Sequence, residues 1–532
     1  FGNTDLRSPA YQTQFEDGST ISDLQYLSHE IFSGKKKLKG LPSTYVEKNE
    51  EAETLEITLK DELSGLLVVL SYTVYKDYDV ITRSSKIINS SSKDLKVLRA
   101  LSASVDFSDD NFDLLQLSGS WSRERSIIKR ALVSGNQSIE SRRGASSPQQ
   151  NPFIALMRKD ADEDKGEVYG INLVYSGNFL ANVEVCQYGT TRVQIGINPF
   201  DFSWLLKPGE DFQTPEVVMV YSDSGLGKMS QTFHNLYRKR LCRGNYRDKE
   251  RPILINNWEA TYFDFTEESI KNIAREAKKL GIELFVLDDG WFGNRNDDTT
   301  SLGDWYVNKE KLPNGLKKLS NDINEIGLKF GLWFEPEMVS ENSNLYRAHP
   351  DWCIHVKGRE RSLGRNQLVL DFSRIEVCDA IIEMLSENLS TYNISYVKWD
   401  MNRFMSEVGS ATLDANRQRE TAHRYMLGLY RVMEELTTKF PEVLFESCAS
   451  GGGRFDPGML YYMPQTWTSD DTDAIERLKI QYGTSLVYPS ITMGAHVSAV
   501  PNHQVHRITP LETRGNVAMG GDRRASCRER VS

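Results

Sequence analysis

The chain has 532 residues, 39% of them hydrophobic and 26% charged, and carries a formal net charge of −10. That length exceeds one ordinary core and predicts two or three domains, while the composition is that of a globular chain, not a disordered or fibrous one. The acidic balance argues against nucleic acid as a partner, and no apolar run approaches the ~20 residues of a membrane-spanning helix.

The N-terminus shows no basic segment followed by an apolar one, but Phe1 is not a natural start, so export stays open. The six cysteines (Cys186, Cys242, Cys353, Cys378, Cys448, Cys527) lie far apart without a CxxC pair, which makes reduced thiols in a cytoplasm the simpler reading.

From about residue 20 to 225 the apolar pattern has period two. Leu55, Ile57 and Leu59 alternate with Glu56, Thr58 and Lys60; past a turn-like segment at 61–65, Leu66, Val68, Leu70, Tyr72 and Val74 share one face. This predicts a hairpin, and the further runs at 169–174 and 217–221 extend it to a large antiparallel sandwich.

Past Arg251 short apolar strands alternate with amphipathic helices. A strand at 253–256 precedes a helix with Thr266 as N-cap, Ile270, Ile273, Ala274, Ala277 and Leu280 on one stripe, and Gly281 as its stop. Strands at 284–287, 330–334, 396–399, 443–445, 465–468 and 490–493 follow, separated by helical stripes such as Ile381, Ile382, Leu385 and Leu389. Seven such repeats without a Rossmann glycine fingerprint favour a (β/α)8 barrel of the TIM type over a doubly wound sheet. The eighth strand is expected where the chain instead ends in the basic segment GDRRASCRERVS at 521–532, which reads as a non-native tail.

In such a barrel the active site is built at the C-terminal ends of the strands. Trp258 follows the first strand, Asp288 and Asp289 the second, Trp333 and Glu335 end the third, Lys398 and Asp400 the fourth, Cys448 follows the fifth and Asp470 the sixth. Aromatic rings stack on the apolar faces of sugars and carboxylates accept hydroxyl hydrogen bonds, so this set suits a carbohydrate. In YVKWDMNR, Lys398 and Asp400 lie on the same side of a strand end, so Lys398 is expected to hold Asp400 ionised as the nucleophile of a retaining glycosidase. A second, protonated carboxyl comes from TWTSDDTDA, where Asp470, Asp471 and Asp473 compete and crowding raises one of them.

Blander readings exist for each. Asp288 and Asp289 alone could be a helix N-cap pair, and Trp258 and Trp333 barrel core. Cys448 has no partnered histidine nearby in sequence and reads as a contact at most. His496, His503 and His506 match no metal-ligand spacing and read as packed or solvated residues, so no metal or other cofactor is expected; the run Gly451, Gly452, Gly453 lacks the continuation of a phosphate loop.

The segments LDDGWF, GLWFEPEMVS, KWDMNR and ESCASGGGRFD, in that order, resemble bacterial-type α-galactosidases of glycoside hydrolase family 36, with similarity up to about Met519. The resemblance implies a β-supersandwich over 1–235, truncated at its start, an incomplete catalytic (β/α)8 barrel over 236–519, a missing C-terminal β domain, and a tail over 520–532. It assigns Asp400 as nucleophile and Asp470 as acid/base. It also implies a galactose subsite of Trp258, Asp288, Asp289, Trp333, Arg365, Lys398, Asn402 and Cys448. Terminal α-linked galactose from melibiose- and raffinose-type sugars is the implied substrate, and full-length relatives are expected to be homo-oligomeric, as tetramers. α-N-acetylgalactosaminidase, galactosyl transfer, or an inactive sugar-binding fragment are the alternatives. Within SRRGASSPQQNPF, Pro148 stands where the family pattern leads one to expect histidine.

Overall fold

The structure is a computed structural model and describes residues 5–520; the expected tail beyond Gly520 lies outside the described residues. Residues 11–222 form two antiparallel sheets. The larger runs in the order Gln25–Ser33, Ala52–Asp61, Leu66–Tyr75, Val80–Asn89, Glu216–Ser222, Val168–Val174, Gln150–Arg158, Phe112–Ser118, Ser126–Ala131. The smaller is centred on Leu95–Phe107, Thr191–Ile197 and Phe179–Val185. The hairpin expected from the alternation at 55–74 pairs Asp61 with Leu66 and keeps register through Ala52 and Tyr75. Its buried members Leu66 and Val68 share one core with Val97, Phe179, Val183 and Ile195 of the other sheet, so the period-two pattern is the imprint of two inward faces.

The helix Gly225–Arg240 lays Met229, Phe233, Leu236 and Tyr237 on the larger sheet and leads to the second half. There, seven parallel strands lie side by side in chain order: Leu254–Asn256, Leu284–Leu287, Lys329–Phe334, Tyr396–Trp399, Leu444–Ser447, Gln465–Trp467 and Met493–Gly494. Their near-continuous apolar stretches, such as Leu284 to Leu287 with every residue buried, suit a parallel sheet covered on both faces.

Local signals account for the boundaries. Thr266 caps Glu267–Lys279 in a capping box with Ser269, and Gly281 follows with φ +83°. The helix Leu316–Ile326 ends on Gly327 in the left-handed region. The strand expected at 490–493 is largely absent: Ser490–Thr492 form a single 3-10 turn behind Pro489, leaving a two-residue strand. A short helix, Trp258–Thr261, directly after the first parallel strand carries no apolar period that would have announced it.

Candidate active site

The register of the parallel sheet sets Trp333 beside Lys398, Lys398 beside Glu446, and Glu446 beside Gln465. This row opens into a cavity of about 750 Å³ lined by Trp258, Asp288, Asp289, Trp333, Arg365, Lys398, Asp400, Asn402, Cys448 and Asp470. Every residue that the family resemblance assigned to the site thus lines one space, while Glu335 lies outside its lining.

Asp400 directly follows the strand Tyr396–Trp399. Its Oδ2 accepts from Trp333 Nε1 at 3.1 Å and its Oδ1 from the Met401 backbone N–H at 2.9 Å. Burial pushes this carboxyl up, but the charge of Lys398 and hydrogen bonds from Asn402 and Cys448 outweigh it and hold Asp400 below the usual carboxylate range. Lys398 thus lowers Asp400 as the spacing in YVKWD suggested, but its direct ion-pair partner is another carboxylate. Its Nζ lies 3.0 Å from Asp288 Oδ2, because the ammonium turns across the sheet to the strand-end carboxylate two strands away, and it acts on Asp400 through space.

Asp470 has the opposite character. Burial, reinforced by the charge of Asp400, pushes its carboxyl up, against hydrogen bonds from two indoles. Trp467 Nε1 donates to Oδ1 at 3.1 Å and Trp121 Nε1 to Oδ2 at 2.9 Å. The three competing aspartates differ in position: of them, Asp470 lines the cavity. Asp473 caps the helix Ala474–Ser485, accepting from the N–H groups of Ile475 and Glu476, while Asp471 is buried and accepts the N–H of Asp473. Neither lines the cavity.

Asp289 is gripped by the buried Arg295, whose Nε and Nη2 lie 3.0 and 2.9 Å from its two oxygens. Asp288 and Asp289 therefore cap no helix. Cys448 is buried beside Asp400, and burial with that charge pushes its thiol far above the ordinary value, which makes it a neutral contact and not a thiolate. Asn402 Oδ1 accepts from Ser450 Oγ at 2.8 Å. Its backbone N–H donates to Glu335 at 2.5 Å; burial and the Asp400 charge push that carboxyl up to about 7. Three non-glycine residues of the lining, Tyr262, Arg365 and Ser450, have positive φ (48°, 51° and 46°), a strained state typical of functional loops.

Several lining residues had no signal in the sequence. Trp121 and Gln149 come from the antiparallel half, and Pro148 sits beside them in place of the expected histidine. Glu259, on the unannounced short helix, faces His503 at 3.6 Å and His496 at 4.0 Å, so these two histidines belong to the cavity wall. Trp467 could have been found, since it ends the sixth parallel strand.

Two carboxylates of opposite character, in a tryptophan-lined cavity at the C-terminal ends of a parallel sheet, define a glycoside hydrolase. The melibiase family pattern matches residues 211–524 and the glycosyl hydrolase family 36 N-terminal domain matches 1–207. The chain is 68% identical over 522 residues to α-galactosidase AgaA of Geobacillus stearothermophilus, covering 98% of this chain and 72% of that one. It is 51% identical to α-galactosidase Mel36A of Lactobacillus acidophilus, over 98% of this chain and 71% of that one. A crystal structure of an AgaA variant in complex with raffinose superposes with a TM-score of 0.98 at 67% identity, over 99% of this chain and 73% of that one. The chain belongs to glycoside hydrolase family 36.

Proposed function

We propose that Asp400 and Asp470 are the nucleophile and acid/base of a retaining α-galactosidase. The observation that carries this is their opposite electrostatic tuning within one cavity: the carboxyl that must attack is shifted towards its ionised form and the one that must protonate is shifted towards its protonated form. Asp400 attacks the anomeric carbon of a terminal α-linked galactose while Asp470 gives its proton to the departing oxygen. Asp470 then takes a proton from the water that displaces Asp400, so the anomeric configuration is retained; such a pair stands ~5 Å apart.

Trp258, Asp288, Asp289, Trp333, Arg365, Lys398, Asn402 and Cys448 bind the sugar. Carboxylates at 288 and 289 accept its hydroxyls, and Trp333 offers a ring face beside the nucleophile. Raffinose- and melibiose-type oligosaccharides are the substrates, in keeping with the raffinose bound by the AgaA variant. In this reading the antiparallel sheets are the β-supersandwich, to about residue 235, and the parallel sheet is part of a (β/α)8 barrel ending near 519. It also includes a cytoplasmic, homo-oligomeric, tetrameric enzyme. Supporting this are the free thiols among the described cysteines and the exposed Tyr26, Leu27 and Ile31 on the edge strand Gln25–Ser33. Among the described residues no helix is long and apolar enough to cross a membrane.

The test is hydrolysis of p-nitrophenyl α-galactoside beside its N-acetyl analogue, with the first-formed anomer followed by NMR. α-Galactose as the initial product supports the reading; β-galactose, or preference for the analogue, overturns it.

A further inference from the structure

We infer that the loop 119–125 of the antiparallel half is a positioning device for the acid/base, locked by Arg125 in a socket of glycines. Resting on the assignment of Asp470 above, this gives the N-terminal half a part in catalysis.

Arg125 is buried, yet among the described residues its guanidinium donates to carbonyls and a hydroxyl and to no carboxylate. Its Nη1 donates to Gly452 O at 2.9 Å, its Nη2 to Thr468 O and its Nε to Thr484 Oγ1. Thr468 lies two residues before Asp470, and Gly452 two after Ser450, whose N–H points at Asp400. One planar side chain therefore ties together the segments that follow the fifth and sixth parallel strands, which carry the surroundings of both carboxylates.

The socket is shaped for it. A Cβ at Gly452 would strike the Thr468 carbonyl and Arg125 Nη2, and one at Gly483 would strike the Arg125 carbonyl. The glycine run at 451–453, which resembled no phosphate loop, thus has a packing reason at its middle residue. The loop is overdetermined from its own side as well. Ser122 and Arg125 have φ of 63° and 55°, and the buried Glu124 accepts from Ser469 Oγ at 2.5 Å, next to Asp470. Strain of this kind persists only where surrounding contacts enforce it. What the lock holds in place is Trp121, which donates to Asp470 Oδ2. Arg125 is a positioning residue, since it reaches the substrate only through these neighbours.

The experiment compares Arg125→Lys and Gly452→Ala with Asp470→Ala in the full chain, measuring kcat/KM on 2,4-dinitrophenyl α-galactoside, which needs little protonation, and on melibiose, which needs it fully. A structural role alone lowers both substrates equally, in proportion to the folded fraction. We expect each variant to lose at least about tenfold more on melibiose, as Asp470→Ala does, with added guanidinium restoring part of the melibiose rate to Arg125→Ala. Should the lysine variant not fold, Thr484→Val, which removes the acceptor of Nε together with that hydroxyl's own bond to Ile480 O, is read the same way. Equal losses in the Arg125, Gly452 and Thr484 variants, while Asp470→Ala discriminates, would overturn the positioning role. Equal losses in Asp470→Ala itself would overturn the assignment of the acid/base instead.

Discussion

Trp121 Nε1 and Asp470 Oδ2 are 2.9 Å apart although 349 positions separate them in sequence. The bond joins the antiparallel half to the carboxyl proposed above as the acid/base, and it favours the ionised form of that carboxyl. Trp121→Phe keeps the ring and removes the donor, so Asp470 holds its proton to higher pH. The alkaline limb of the kcat/KM profile should move upward and the rate fall by about tenfold, in line with the loss of one charge-assisted hydrogen bond. A profile whose alkaline limb stays put would show that the bond does not tune Asp470.

Asp400→Gly should lower hydrolysis by on the order of 10⁴-fold or more, as expected for loss of a nucleophile. External azide should restore turnover and give β-galactosyl azide, identified by NMR. Near-native activity in this variant would remove Asp400 from the mechanism.

Lys398 and Asp288 form a buried pair at 3.0 Å, with side-chain exposures of 15% and 4%. Lys398→Met strands the Asp288 carboxylate and should cost about 3–5 kcal/mol of stability, read from denaturant melts. The Asp400 pKa should also rise, moving the acid limb of kcat/KM to higher pH, because the lysine charge is what opposes burial there. Lys398→Met/Asp288→Asn should recover stability without recovering that limb.

Arg454 and Glu337 are both fully buried, and Glu337 also accepts from Trp399 Nε1 at 2.8 Å and Tyr425 Oη at 2.6 Å. Glu337→Gln should destabilise the fold by about 3–5 kcal/mol by leaving the guanidinium unpaired. In a double-mutant cycle with Arg454→Met the combined loss should fall short of the sum; an additive result would mean the two charges do not depend on each other.

Asp456 accepts from Ser146 Oγ and Ser176 Oγ, and burial pushes its carboxyl up to about 6 from the ordinary 3.8. Its folded-state pKa lies above the unfolded one, so the native state binds the extra proton. The resulting stability is fully present below about pH 3.8 and is lost as pH rises through about 6. Asp456→Asn should flatten the fall in unfolding free energy over that window; an unchanged slope would assign the proton elsewhere.

Much of this was legible in the sequence. The strand Tyr396–Trp399 falls where the apolar run YVKW puts it, and Thr266 caps its helix. Strand-end placement gathered Trp258, Asp288, Trp333, Asp400, Cys448 and Asp470 because a parallel sheet with helical crossovers must present those positions on one edge. What was hidden depends on pairings that periodicity does not encode. Lys398 chose Asp288, two strands away, over Asp400, two residues away. Asp473 was spent on a helix terminus. Trp121 sits in an irregular loop whose backbone follows no period, so nothing local marks it as part of a site built from the other half of the chain.

The guanidinium of Arg125 has a consequence for the order of assembly. Synthesis delivers the antiparallel sheets complete by residue 222, but the acceptors of Arg125 arrive only with Gly452, Thr468 and Thr484. Until then that side chain remains in water and Trp121 has nothing to hold. The pocket therefore takes shape after the antiparallel sheets during biosynthesis, and on dilution from denaturant enzymatic competence should return after the far-ultraviolet circular dichroism has already recovered.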